Sequence, residues 1–130
     1  MMTQAASLHG LRLLVVEDET LVAMMLEVML EGFGCDVVGV AGTVKRGLAY
    51  ASDESLNLDG AILDVNLGGE EVYPIAQRLT DRGVPIVFCT GYGLKGLSPS
   101  FAHIPTLAKP YLAEDLEGLL LSALASHRSH

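Results

Sequence analysis

Four stretches of this chain end an apolar run in a residue that can do chemistry. Glu17-Asp18-Glu19 follows residues 11–16, Asp64 follows residues 61–63, Thr90 follows residues 84–89, and Lys109-Pro110 follows residues 104–108. Singly, each has a plain structural explanation. Acids after a strand cap the next helix, an aspartate opens an Asx turn, a threonine at a strand end sits in a turn, and a lysine before proline is solvated. Gathered at one edge they pose an electrostatic problem, because carboxylates about 4–6 Å apart repel by roughly a few kcal/mol per pair at an effective dielectric of about 20. Protons or a cation must then share the site. Oxygen ligands with room for water suit Mg²⁺, which takes a carboxylate or two together with the oxygens of a substrate phosphate. Phosphoryl transfer uses the whole set: a carboxylate nucleophile, a metal ion on the phosphoryl oxygens, and a lysine and a hydroxyl on the remaining ones.

Something must bring these residues to one edge. The runs 11–16, 61–63 and 84–89 are apolar without alternation, as in parallel strands covered on both faces, and 36–41 and 104–108 are weaker candidates. Helical spacing appears over 21–30, where Val22, Met25, Leu26, Met29 and Phe33 recur, with Thr20 as N-cap and Gly32 and Gly34 as stops. Further helices are predicted over 44–51, over 70–82 with Glu70 and Glu71 at the positive end of its dipole, and over 112–125 with a stripe of Leu116, Leu119, Leu120, Ala123 and Leu124. The alternation of strand and helix predicts an α/β fold, a doubly wound parallel sheet with helices on both faces. Gly91, Gly93, Gly96 and Pro99 fall where the fourth helix belongs, so a short or partly melted helix is expected there. In such a sheet, ligands bind beyond the carboxyl ends of the strands, which is where the chemical residues lie.

Composition narrows the function. The 130 residues carry 8 Lys+Arg against 16 Asp+Glu, a net charge of −8, and no basic run, which argues against direct binding to nucleic acid or to an anionic membrane. No apolar run reaches the roughly 20 residues of a membrane span, and residues 1–10 do not resemble a signal peptide, so a cytoplasmic location is expected. One domain over 1–130 is predicted, ordered over about 9–126 and without an output domain. Cys35 and Cys89 lack metal or redox spacing and read as buried thiols. Met24, Met25 and Met29 read as core, and His9, His103, His127 and His130 as surface residues.

The set Val15-Val16-Glu17-Asp18-Glu19, Asp64-Val65-Asn66-Leu67, Thr90-Gly91 and Lys109-Pro110 resembles the receiver domain of bacterial two-component response regulators, over essentially the whole chain. The resemblance implies the flavodoxin-like strand order 2-1-3-4-5. It implies that Asp64 accepts a phosphoryl group in a Mg²⁺-dependent reaction, with Asp18 and Asp64 as direct ligands, the Asn66 carbonyl as a further one, and Glu17 acting through water. Lys109 would pair with the Asp64 carboxylate before transfer and with a phosphoryl oxygen after it, and Thr90 would donate its hydroxyl to another oxygen. Residues 85–92, Pro-Ile-Val-Phe-Cys-Thr-Gly-Tyr, look like the P-F-x-F-A-T-G-Y stretch of the alphaproteobacterial FATGUY receivers, with Ile86 and Cys89 departing from it.

The family's switch aromatic, three residues before its lysine, is replaced here by Thr106. Tyr92 is the aromatic nearest the site in sequence, and phosphorylation is expected to act by ordering residues 91–101. The implied partners are a sensor histidine kinase or histidine phosphotransfer protein and a downstream protein target, with the chain a monomer or a weak phosphorylation-dependent dimer. It is expected to be a phosphoacceptor rather than an enzyme, although it assists its own phosphorylation and dephosphorylation. Competing readings are a receiver-like module that binds partners without phosphorylation, an Asp-nucleophile phosphatase of the haloacid dehalogenase type, and a flavodoxin. The phosphatase needs a second acid where Asn66 stands, and a flavin phosphate would meet the acids after the first strand.

Overall fold

A computed structural model of the chain describes residues 7–91 and 97–125. Five parallel strands, β1 (Arg12–Val16), β2 (Asp36–Ala41), β3 (Gly60–Asp64), β6 (Ile86–Thr90) and β7 (Thr106–Ala108), form one sheet in the order β2-β1-β3-β6-β7. A separate antiparallel hairpin, β4 (Asn66–Leu67) and β5 (Glu70–Glu71), lies between β3 and β6 in the chain. Leaving the hairpin aside, this is the expected 2-1-3-4-5 order.

Side chains alternate across each strand, so the sheet has two buried faces. Leu14, Val16, Ala61, Leu63, Ile86 and Phe88 pack with Ala51 of α2 (Val44–Ser52) and with Ile75, Ala76 and Leu79 of α3 (Tyr73–Asp81). Leu13, Val15, Ile62, Val87 and Cys89 pack with Leu26 and Leu30 of α1 (Thr20–Gly32) and with Leu116 and Leu120 of α4 (Ala113–Leu120), which runs on as one π-helical turn over Leu121–Ala125. This two-faced burial leaves polar residues only at the strand ends.

Several expectations are corrected. Glu19, in an extended conformation, takes the N-cap position of α1 and Thr20 is its first helical residue. Met24 and Met25 are exposed, because Ala23, Leu26 and Leu30 form the buried side of α1. Glu70 and Glu71 belong to the hairpin: Gly68 and Gly69 both have positive φ, at 57° and 93°, the geometry of a type I′ turn. The third helix therefore starts at Tyr73, with Pro74 in its first turn where a missing N–H costs nothing. Leu8, expected in a frayed end, is buried, and its carbonyl accepts a hydrogen bond from the Cys35 thiol. Among the described residues the segment between β6 and β7 holds only a 3₁₀ turn, Pro99–Phe101. Tyr92, Gly93 and Gly96, and the proposed frayed residues 1–6 and 127–130, lie outside the described residues.

Candidate functional site

The carboxyl ends of β1, β3, β6 and β7 meet at one edge of the sheet. Asp64 closes β3, and each of its oxygens is engaged: Oδ1 accepts the Asn66 amide at 3.0 Å and Oδ2 accepts Lys109 Nζ at 3.0 Å. The same ammonium donates to Glu17 Oε1 at 2.8 Å, while Glu17 Oε2 accepts the Glu19 amide at 3.1 Å. Lys109 is set in place by its own amide, which donates to the Thr90 carbonyl at 2.8 Å across β6 and β7, and its peptide bond to Pro110 is cis. Glu17, Asp18 and Asp64 offer carboxylate oxygens that all lie within 4.8 Å of one another. Glu17 and Asp64 are buried and Asp18 is exposed. Such an all-oxygen set, partly open to water, fits a hard divalent cation.

Glu17 is the acid most affected by its surroundings. Burial pushes its carboxyl up to about 7, against the pull of the Lys109 ammonium and the Glu19 amide, and the neighbouring Asp64 adds to the rise. For Lys109, burial disfavours the charge but the hydrogen bonds to Glu17 and Asp64 outweigh it, and its pKa is raised. The ammonium is therefore a fixed positive charge between two acids. Nearby, burial raises the Cys89 thiol to about 12 and also raises the Tyr111 hydroxyl that bonds it.

Of the residues singled out in the sequence, Asp64, Asn66, Thr90 and Lys109 line one cavity of about 290 Å³, together with Glu19 and Gly91. Glu17 and Asp18 join through the carboxylate cluster. Thr106 does not line this cavity; its hydroxyl donates to the Ile104 carbonyl at 3.0 Å, and it sits beside Phe88 in the β6–β7 register. Tyr92 lies outside the described residues. Three features escape the sequence reading. Glu17 pairs directly with Lys109, the hairpin tip brings Gly68 against Asp18, and Tyr73, Phe88 and Phe101 form an aromatic cluster beside the site. The Gly68-Gly69 pair was the available signal for the hairpin; the cluster joins distant segments and leaves no local pattern.

Known proteins share this fold and resemble the sequence. The sequence matches the family model of the response regulator receiver domain over residues 13–101. It is 33% identical over 123 residues to the phyllosphere-induced regulator PhyR of Methylorubrum extorquens, covering 90% of this chain and 45% of that protein. The chain thus spans less than half the length of that curated relative. The solution structure of SdrG from Sphingomonas melonis Fr1 shares 41% identity at a TM-score of 0.75, covering 85% of this chain and 93% of that one. The crystal structure of the response regulator PhyR from Brucella abortus shares 28% identity at a TM-score of 0.75, covering 96% and 55% of the two chains.

Proposed function

The chain belongs to the response regulator receiver domain family, and on that premise we propose that Asp64 accepts a phosphoryl group from a histidine-phosphorylated partner. The observation that carries this reading is the Lys109 ammonium, bonded to the Asp64 carboxylate at 3.0 Å beside a cluster of acids. In the transfer, an Asp64 oxygen forms the new P–O bond, the P–N bond of the donor breaks, and the imidazole keeps the electron pair and takes up a proton. Bound Mg²⁺ would neutralise charge on the acids and the phosphoryl oxygens. Asp18 and Asp64 are its direct ligands in this reading, with the Asn66 carbonyl beside them and Glu17 acting through water. Lys109 moves its hydrogen bond from Asp64 to a phosphoryl oxygen, and the Thr90 hydroxyl donates to another. The new group brings about −1.5 to −2 of charge, by analogy with phosphorylated hydroxyls.

The output is protein contact: a sensor histidine kinase or phosphotransfer protein upstream and a protein target downstream, in the cytoplasm, with the domain a monomer or a weak phosphorylation-dependent dimer. The assignment to the FATGUY type rests on residues 85–92 alone, where Ile86 and Cys89 depart from its pattern. Radiolabelled acetyl phosphate with Mg²⁺ tests the reaction by incorporation of label that alkali and hydroxylamine release, as expected of an acyl phosphate. Wild type is expected to take up label, and Asp64→Asn is expected to take up none. Label retained in Asp64→Asn, or uptake unaffected by EDTA, would overturn the assignment.

A further inference from the structure

With Thr106 in place of an aromatic, the site needs another way to communicate with its surroundings, and the cluster beside it supplies one. Tyr73 opens α3, just after the hairpin that follows Asp64. Its ring stacks on Phe101 with centroids 5.1 Å apart and planes 8° apart, and meets Phe88 edge to face at 6.2 Å and 83°. Phe101 meets Phe88 at 6.2 Å and 75°, so the three rings close on one another. The Tyr73 hydroxyl oxygen also accepts the Ser98 amide at 2.7 Å. One side chain thus anchors the segment 98–101 by a ring face and a hydrogen bond. In this structure the segment 98–101 is docked through these two contacts.

The link to the reacting group is Thr90. It stands two residues beyond Phe88, on the same face of the sheet. It lines the cavity over Asp64 and also an adjoining space of about 180 Å³ whose walls include Tyr73. A Thr90 side chain drawn toward a phosphoryl group on Asp64 retreats from the Tyr73 side of that space.

Resting on the phosphorylation of Asp64 argued above, we propose that Tyr73 is a positioning residue that converts the movement of Thr90 into release of residues 98–101. Its ring turns into the vacated space, giving up the Phe101 stack and the Ser98 hydrogen bond. Phe101, half-buried against the core while stacked, is then freed to meet a partner. The docked and released arrangements are two states of one element, and the phosphoryl group acts by favouring the second.

Amide exchange and backbone spectra of the full chain, with Mg²⁺ alone and with Mg²⁺ and beryllofluoride, test this. In wild type, resonances of Asp64 and Thr90 are expected to shift and Ser98 exchange to accelerate tenfold or more. In Tyr73→Leu, Asp64 and Thr90 still respond, whereas Ser98 exchanges fast from the start and changes less than twofold. In Tyr73→Phe, which keeps the rings and serves if the leucine variant fails to fold, Ser98 is again fast throughout while the Phe101 ring resonances respond as in wild type. Unchanged Ser98 protection in wild type with Asp64 responding would overturn the inference alone, as would a tenfold acceleration persisting in either variant. Absence of any response at Asp64 would overturn the phosphoacceptor reading and this inference with it.

Discussion

Glu17, the residue after β1, has both carboxylate oxygens hydrogen-bonded and almost no access to water, and that enclosure raises it to about 7. Because this lies above the ordinary 4.5, the folded state holds the proton more tightly than the unfolded chain does. The resulting stabilisation is fully present below pH 4.5 and is lost as pH rises through 7. Without metal, the protein is therefore expected to be more stable to urea at pH 5 than at pH 8, by on the order of 2–3 kcal/mol from this group. Glu17→Gln should flatten the profile, and an unchanged slope would show that another group sets it. The thiols titrate in the same sense: burial raises Cys35 to about 11 and Cys89 to about 12. Since the thiolate is the reactive form, a thiol raised by two to three units should be labelled roughly 10²–10³ times more slowly at pH 8 than an ordinary one. A disulfide-exchange reagent is expected to count no thiol in the folded protein and two after unfolding; rapid native labelling would contradict this burial.

The two helices on the hairpin side pack closely because α2 carries Gly47 where α3 carries Ile75. A Cβ on Gly47 would overlap the Ile75 side chain. Gly→Ala in a helix interior ordinarily stabilises by about 1 kcal/mol, but overpacking costs about 1–3 kcal/mol. Gly47→Ala should accordingly destabilise the domain, and a double variant with Ile75→Val should recover part of the loss in denaturant melts; a stabilised single variant would mean that α2 and α3 part easily. Contacts of this kind explain what the sequence does and does not disclose. Buried strands announce themselves as apolar runs, so β1, β2, β3 and β6 fall within two residues of their expected ends, and the chemical residues after them are found with them. A two-residue strand has no period to read, which is why Glu70 and Glu71 look like a helix start. Met24 and Met25 follow the helical spacing loosely, yet the buried residues of α1 are Ala23, Leu26 and Leu30. The Glu17–Lys109 pair and the Tyr73–Phe88–Phe101 cluster exist only once distant strand ends and helices have met.

Parallel order sends every proposed ligand to the same edge of the molecule, so an acidic protein of net charge −8 concentrates Glu17, Asp18 and Asp64 where their oxygens lie within 4.8 Å. Lys109 offsets part of this repulsion, bonding Glu17 and Asp64. A divalent cation that binds this edge only when the chain is folded must stabilise the whole domain by mass action, by about 2.7 kcal/mol at one hundred times its dissociation constant. For a domain of this size that corresponds to a rise in Tm of roughly 10 °C. General screening by salt would also relieve repulsion, but exposed charges are screened by any ions at equal ionic strength, whereas a three-acid pocket distinguishes a divalent ion from a monovalent one. Thermal melts at pH 8 are thus expected to rise with millimolar MgCl₂ and to move far less with NaCl of matched ionic strength. Asp18→Asn, which removes an exposed ligand while leaving the Glu17–Lys109–Asp64 bonds in place, should abolish most of the MgCl₂ effect without lowering the metal-free Tm. If NaCl reproduces the shift, or Asp18→Asn leaves it intact, the cluster is stabilised by the ionic atmosphere and not by a bound cation.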